Sequence, residues 1–478
     1  MNGSTSSPRS SRPSRPRRPH PPKRNPGPER PPQEDPARRA ALDTLRAVTK
    51  RDAYANLVLP GLLRERRITG RDAALATELT YGTARARGLL DAVLAACSDR
   101  PLAEIDDAVL DALRLGAYQL LRTRVPAHAA VASTVDLVRA DRGSGAAGFA
   151  NAVLRRVTGQ DEAGWIDEVA PDEESDPIGY LAMSTAHPRW VAQAFAEALG
   201  SRGEPLRAAL AADDTRPIVH LIARPGEISA DELAAITGGD LAPYSPYGVH
   251  LADGGDPADL DVVRERLAAV QDEGSQLCAL ALTRAPLEGT DERWLDLCAG
   301  PGGKAALLGA LAALSDATLD AVEKTPHRAE LIRKATIGLP VDVRVADGRD
   351  PGLDGGYDRV LVDAPCTGLG ALRRRPEARW RRQPSDVAAL AKLQRELLTS
   401  ALDLVRPGGL VAYVVCSPHL AETVGVVAEV ARKTGAERLD TREFFPGVPN
   451  LGDGPQVQLW PHEHGTDAMF CAILRRPA

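Results

Sequence analysis

The stretch WLDLCAGPGGKAALLGA, Trp294–Ala310, sets a short apolar run of strand length against a glycine-rich turn and follows it with an apolar, helix-like period. Glycines at Gly300, Gly302 and Gly303 let backbone approach a ligand closely, and a helix starting just beyond them presents unpaired N–H groups to an anion. Neither common phosphate motif fits. A phosphate loop would need glycine at Cys298 and Ser or Thr at Ala305, and G-x-G-x-x-G is absent.

Downstream, apolar runs recur at Thr318–Val322, Val343–Ala346, Arg359–Val362 and Leu410–Val415, with helical stretches between them. That alternation predicts an α/β domain with a doubly wound, mostly parallel sheet over residues 270–478. Ligands of such sheets bind at the carboxyl ends of the strands. Three acids, Asp296, Glu323 and Asp347, fall at three successive strand ends beside the glycine-rich turn. Glu323 suits the two hydroxyls of a ribose, and Asp347 can face an adenine. A nucleoside with a carboxylate tail fits this set, so S-adenosylmethionine (SAM) is the expected cofactor. Its expected contacts are Cys298, Ala299, Gly300, Pro301, Gly302, Gly303 and Lys304, with Glu323, Asp347 and Asp363.

The fourth and fifth strands lead into DAPCTGLG, placing Asp363 and Cys366, and into VVCSPHLAET, placing Cys416. An arbitrary cysteine is more often a small core residue than a nucleophile. Two at adjacent catalytic strand ends suggest thiol chemistry. The C5 carbon of a pyrimidine is too electron-poor to take a methyl group directly, whereas a thiolate added at C6 pushes electron density onto C5. One thiol adds and another group assists release. Adenine amino-methyltransferases carry an aromatic residue where Cys366 stands. DNA cytosine enzymes carry Pro-Cys there, but with a Glu-Asn-Val element that this chain lacks.

Elsewhere the reading is coarser. Residues 1–35 are mostly Ser, Pro, Arg and Lys, a basic tail that cannot bury enough apolar surface to order itself. Residues 36–160 carry a helical period, including VPAHAAVASTVDLV and GFANAVLRRV. The acidic, proline-broken stretch 161–179 reads as a linker, and 180–269 as a small α+β module. The six cysteines never form C-x-x-C, so no metal site or disulfide framework is expected. With no long apolar run, no membrane span is expected and a cytoplasmic setting is favoured. The net charge of -6 does not by itself favour nucleic acid. The run Arg373, Arg374, Arg375, Arg379, Arg381 and Arg382 around Trp380 could nonetheless track phosphates near a flipped base.

Together, VQDEGSQL, DLCAGPGGK, DAPCTGLG, RPGGLVAYVVCS and PHEHGTDAMFCAILRR resemble, in order, the motifs of bacterial small-subunit rRNA cytosine-C5 methyltransferases of the RsmB/Sun/Fmu type. The upstream helical motifs resemble that family's NusB-type RNA-binding domain, and the 180–269 module would bind RNA too. The resemblance implies that Cys416 is the nucleophile, that Cys366 assists release, and that Asp363 and Lys304 polarise the cytosine. It makes His462, His464 and Asp467 structural. It implies 16S rRNA as partner and a monomeric enzyme; a tRNA substrate, or a non-catalytic NusB-like RNA-binding factor, stands as the alternative. The family usually has Thr where Val415 stands, and Glu-Asn where this chain has Ala421-Glu422-Thr423.

Overall fold

The computed structural model describes residues 1–3, 35–51, 53–251 and 256–478, so residues 4–34 of the expected basic tail lie outside the described residues. Five helices come first: α1 (Pro36–Arg51), α2 (Ala55–Glu65), α3 (Gly70–Cys97), α4 (Asp107–Arg122) and α5 (Ala127–Val157). Helix α4 starts where the Asp106 carboxylate accepts the Ala108 N–H, and it buries Val109, Leu113 and Ala117 on one face. Helix α5 is bent at Gly143, so the two predicted motifs lie on its two halves. Leu79, Leu90, Val93, Leu113 and Leu154 form the core of this helical unit.

Residues 161–179 are not an extended linker. They contain α6 (Glu162–Val169) and the start of α7 (Pro177–Ser184). Between its acids, α6 carries Trp165, Ile166 and Val169; Trp165 is buried in the helical core and its Nε1 donates to the Val157 carbonyl at 3.0 Å. Helices α8 (Arg189–Leu199) and α9 (Glu204–Asp213) follow. Their apolar faces pack with Leu369, Leu372 and Trp460 of the last domain. Only then comes a small antiparallel sheet, assembled from β1 (Val219–Ala223), α10 (Ala230–Thr237), β2 (Asp240–Leu241), β3 (Gly248–Leu251), α11 (Asp261–Arg264) and β4 (Ala268–Val270), in the order β2-β3-β1-β4. It has its own core of Leu221, Leu233, Val249 and Val262.

The remaining elements are α12 (Glu273–Arg284), β5 (Arg293–Asp296), α13 (Gly303–Leu314), β6 (Thr318–Glu323), α14 (Pro326–Ala335), β7 (Val341–Val345) and β8 (Tyr357–Asp363). They continue with α15 (Ala378–Arg381), α16 (Pro384–Leu404), β9 (Val405–Val415), α17 (Val424–Thr434), β10 (Glu437–Arg438), β11 (Val457–Gln458), α18 (Pro461–His464) and β12 (Phe470–Arg475). The sheet order is β10-β12-β9-β8-β5-β6-β7, with β11 beside β12. Strands β5 to β9 are parallel, and β12 runs antiparallel to β9. Both faces are covered, which is why these strands read as unbroken apolar runs. Leu361 and Val414 face Leu277, Leu307 and Leu308 on one side, while Val360, Val362 and Tyr413 face Leu397, Leu398 and Val430 on the other. From β5 the chain winds to β6 and β7, then returns to β8 and β9 on β5's other side. The crevice at this reversal opens between the carboxyl ends of β5 and β8.

The arginine run is largely absorbed into the junction between domains. Arg379 is fully buried, donating to the carbonyls of Arg85 at 3.2 Å and Asp213 at 2.7 Å. Arg373 donates to the Gly465 carbonyl, Arg374 pairs with Asp467 and Arg381 donates to the Ala53 carbonyl. Glu377 accepts the Ala55 N–H, and the Trp380 ring lies against Gly88. Among the run, Arg375 is exposed, stacked over Tyr54. The phosphate-tracking expectation is therefore corrected: carbonyls and acids distant in sequence take most of these guanidinium groups. Because Arg379 also donates to the Ala186 carbonyl at 3.4 Å and so holds carbonyls of three segments at once, Arg379→Ala should leave them unpaired and lower stability by on the order of 3 kcal/mol, read from urea unfolding. A change under about 0.5 kcal/mol would show the junction does not depend on it.

Candidate active site

Strand β5 ends in Asp296, which is fully buried. One carboxylate oxygen accepts the Cys298 N–H at 3.3 Å, and the other has no partner. Burial pushes this acid up to about 7, with Asp363 adding to the rise and Lys304 opposing it. Ala299 N–H donates to the Val322 carbonyl at 2.9 Å, which turns the loop across the end of β6. There Glu323 accepts the Thr325 N–H at 2.8 Å and lies 3.4 Å from Arg328. A Cβ at Gly300 would collide with Glu323 and Arg328, so glycine is what lets the loop close on this acid. Helix α13 then begins at Gly303, with Gln271 beside it; the side-chain oxygen of Gln271 is buried and unpartnered.

Two orphaned acceptors, Asp296 and Gln271, near the free N–H groups of a helix start fit a zwitterionic ligand tail, and Glu323 beside the glycine loop fits a ribose. These residues suit SAM. Asp347 lies at the next strand end, but Arg349 at 2.7 Å and Lys324 at 2.9 Å hold it, keeping its carboxyl well below the usual range. Cys298 is a packing residue whose thiol is pushed up, first by burial and then by Asp296.

Opposite the loop, β8 ends in Asp363, whose Oδ2 accepts from Lys304 Nζ at 2.8 Å. Burial opposes the charge on Lys304, yet Asp363 raises its pKa overall, so the amine stays protonated. Three residues on stands Cys366, and directly after β9 stands Cys416. Their sulfurs are 3.5 Å apart, hydrogen-bonding distance for S–H···S and far beyond a disulfide. Sequence reasoning places both cysteines at neighbouring strand ends; the structure brings the sulfurs together. The contact lowers the pKa of Cys416 and raises that of Cys366, and further neighbours break the symmetry. Lys304 favours a thiolate at Cys416, against burial, Asp363 and Asp467, while burial and Glu422 keep Cys366 protonated. Either sulfur can donate across this contact, and the two opposite shifts favour the thiolate at Cys416 over Cys366. The two loops touch directly as well. Gly370 N–H donates to the Cys416 carbonyl at 2.9 Å, and a Cβ at Gly370 would strike the Ala468 carbonyl.

His464 bonds the Trp460 N–H at 2.9 Å and the Pro449 carbonyl at 2.8 Å, so it shapes a turn. Asp467 is spent on Arg374, and its own N–H donates to Asp272. Two contributors escaped the sequence reading of the site. Gln271 and Glu422 were visible only within motifs; the orphaned oxygen of the one and the shared oxygens of the other are tertiary properties.

A family profile described as "16S rRNA methyltransferase RsmB/F" matches residues 283–475, and one described as "NusB family" matches residues 35–159. A ribosomal RNA small subunit methyltransferase B of Pseudomonas putida is 35% identical over 91% of this chain and 98% of its own length. The chain belongs to the RsmB/F methyltransferase family. It is an RNA methyltransferase that uses SAM, with a NusB-type helical domain at its N-terminal side. A putative methyltransferase of Mycobacterium tuberculosis is 62% identical over 95% of this chain and 99% of that one. The solved structure of PH0851 shares the fold at TM-score 0.78 and 20% identity, covering 92% of this chain and 99% of that one. Among the described residues, no helix is long and apolar enough to cross a membrane.

Because Asp296 holds its proton in the folded state up to about pH 7, whereas the unfolded chain releases it near the ordinary value of 3.8, the folded state loses stability as pH rises between those two values. In SAM-free protein, Asp296→Asn should therefore raise the thermal midpoint, by an amount that grows from pH 4 and levels off above pH 7. An equal effect at pH 4 and pH 8 would contradict the burial argument.

Proposed function

We propose that this enzyme methylates C5 of one cytosine in 16S rRNA through a covalent adduct between Cys416 and C6. The observation that carries the reading is the Cys366–Cys416 contact of 3.5 Å, beside the Lys304–Asp363 pair and over the cofactor crevice. Cys416 Sγ, favoured as thiolate by the Cys366 S–H and by Lys304, adds to C6 and moves the C5–C6 π electrons onto C5. Bound SAM supplies an electrophilic methyl group. Asp363, held by Lys304, faces the space where the ring must lie and helps polarise it. C5 bonds that methyl group, a base in the crevice takes the C5 proton, the C–H electrons re-form the C5–C6 double bond, and the S–C6 pair returns to Cys416 as the bond breaks; Cys366, adjacent to the departing sulfur, assists that step by donating its S–H to it.

The target must be an unstacked base, since C5 and C6 are inaccessible within a helix. The NusB-type domain and the small antiparallel sheet are the surfaces we assign to gripping the surrounding RNA, with Arg375 the exposed guanidinium nearest the cysteine loop in sequence. The family's description as 16S rRNA methyltransferases and the small-subunit names of its relatives support rRNA over tRNA.

Purified protein with labelled SAM is expected to modify small-subunit rRNA at one cytosine. Cys416→Ala should abolish both transfer and the RNA–protein adduct, whereas Cys366→Ala should accumulate the adduct on denaturing gels. An adduct that persists without Cys416 would reverse the two roles, and transfer to tRNA but not to small-subunit RNA would sink the substrate assignment.

A further inference from the structure

Glu422 is fully buried and lies six residues beyond Cys416, yet its carboxylate is shared between the two cysteine loops. One oxygen accepts the Thr367 N–H at 2.8 Å and the Gln394 side-chain N–H at 3.0 Å. The other accepts the Thr367 hydroxyl and, at 2.7 Å, the Ser417 hydroxyl. Thr367 directly follows Cys366, and Ser417 directly follows Cys416. The two hydroxyls lie 3.1 Å from each other. A second tie fixes the loop itself, since Tyr413 Oη donates to the Glu422 carbonyl at 2.6 Å. Four donors on one buried carboxylate satisfy both of its oxygens and make a rigid cluster.

We propose that Glu422 is the positioning residue of the cysteine pair: by holding the residue after each cysteine it sets the approach of the two sulfurs, and its negative charge keeps Cys366 as the S–H donor and leaves Cys416 as the thiolate. This deepens the two-cysteine reading above and rests on it for its catalytic meaning. The charged surroundings agree. On the Cys416 side lie Asp363, Asp467, Lys304 and Arg374. On the Cys366 side lie Glu422 and Tyr413, and Arg382 donates to the Cys366 carbonyl. The contact with Cys416, then burial and Glu422, push the Cys366 thiol up, whereas the contact with Cys366 and the weaker pull of Lys304 lower the Cys416 thiol against burial, Asp363 and Asp467. Without the carboxylate, the asymmetry between two otherwise similar thiols is reduced and the loops lose their common anchor.

The test uses the full chain without RNA. Alkylation of each cysteine by iodoacetamide is followed by mass spectrometry across pH 6 to 10, because the thiolate is the reactive form. Wild-type Cys416 should react at lower pH than Cys366. Glu422→Gln, which keeps the volume and can still bond both hydroxyls, should move the Cys366 profile down by about one pH unit, about a tenfold faster reaction at fixed pH. Ser417→Ala removes one bond but not the charge and should leave the Cys366 profile in place. Glu422→Ala, which also removes the anchor, should bring the two profiles together. An unmoved Cys366 profile in folded Glu422→Gln would overturn the proposal, as would an equal shift in Ser417→Ala. Absence of 5-methylcytosine formation by the wild type, with these shifts present, would count against the cytosine reading and not against the role of Glu422.

Discussion

The 3.5 Å contact between the sulfurs of Cys366 and Cys416 depends on nearly every level of the fold. Strands β8 and β9 must be parallel neighbours in register, with Asp363 opposite Val414, for the two loops to leave the sheet side by side. The loops must then touch, which Gly370 allows by having no Cβ. A buried acid, Glu422, bonds the residue following each cysteine. Beneath them, the Lys304–Asp363 pair ties the glycine loop to the same crevice. The two thiols stand in unlike surroundings, with Glu422 beside Cys366 and with Lys304, Asp363 and Asp467 beside Cys416.

The same constraint explains where the arginines went. The segment after Cys366 leaves the cysteine loop and is inserted between the NusB-type domain and the helices that follow it. Arg379 gives its hydrogen bonds to carbonyls there, and Glu377, Trp380 and Arg381 fasten α2 and α3 nearby. A buried guanidinium is costly, but Arg379 is retained at this junction because Asp214 lies 3.9 Å away and several carbonyls take its N–H groups. The segment that follows the Cys366 loop is thus bonded directly to the helical domain.

The sheet was legible because strands covered on both faces must be apolar throughout, and the glycine loop because no other residue fits between Asp296 and Glu323. The two cysteines were legible from their strand-end placement. The fate of Arg379 was not: its partners lie 166 to 294 positions away, and local sequence shows only a charged run. Helix α6 was masked by surrounding acids and prolines, although the spacing of Trp165, Ile166 and Val169 carried its buried face. Glu422 looked like a departure from a family pattern at Thr423, when its importance lies in four hydrogen bonds that form only after the loops meet.

The most direct measurement is the mapping of 5-methylcytosine in small-subunit rRNA from cells with this gene, without it, and with it restored as Cys416→Ala. One cytosine should carry the mark in the first and lose it in the other two. An unchanged small-subunit pattern across all three would contradict the proposed rRNA cytosine-C5 reaction.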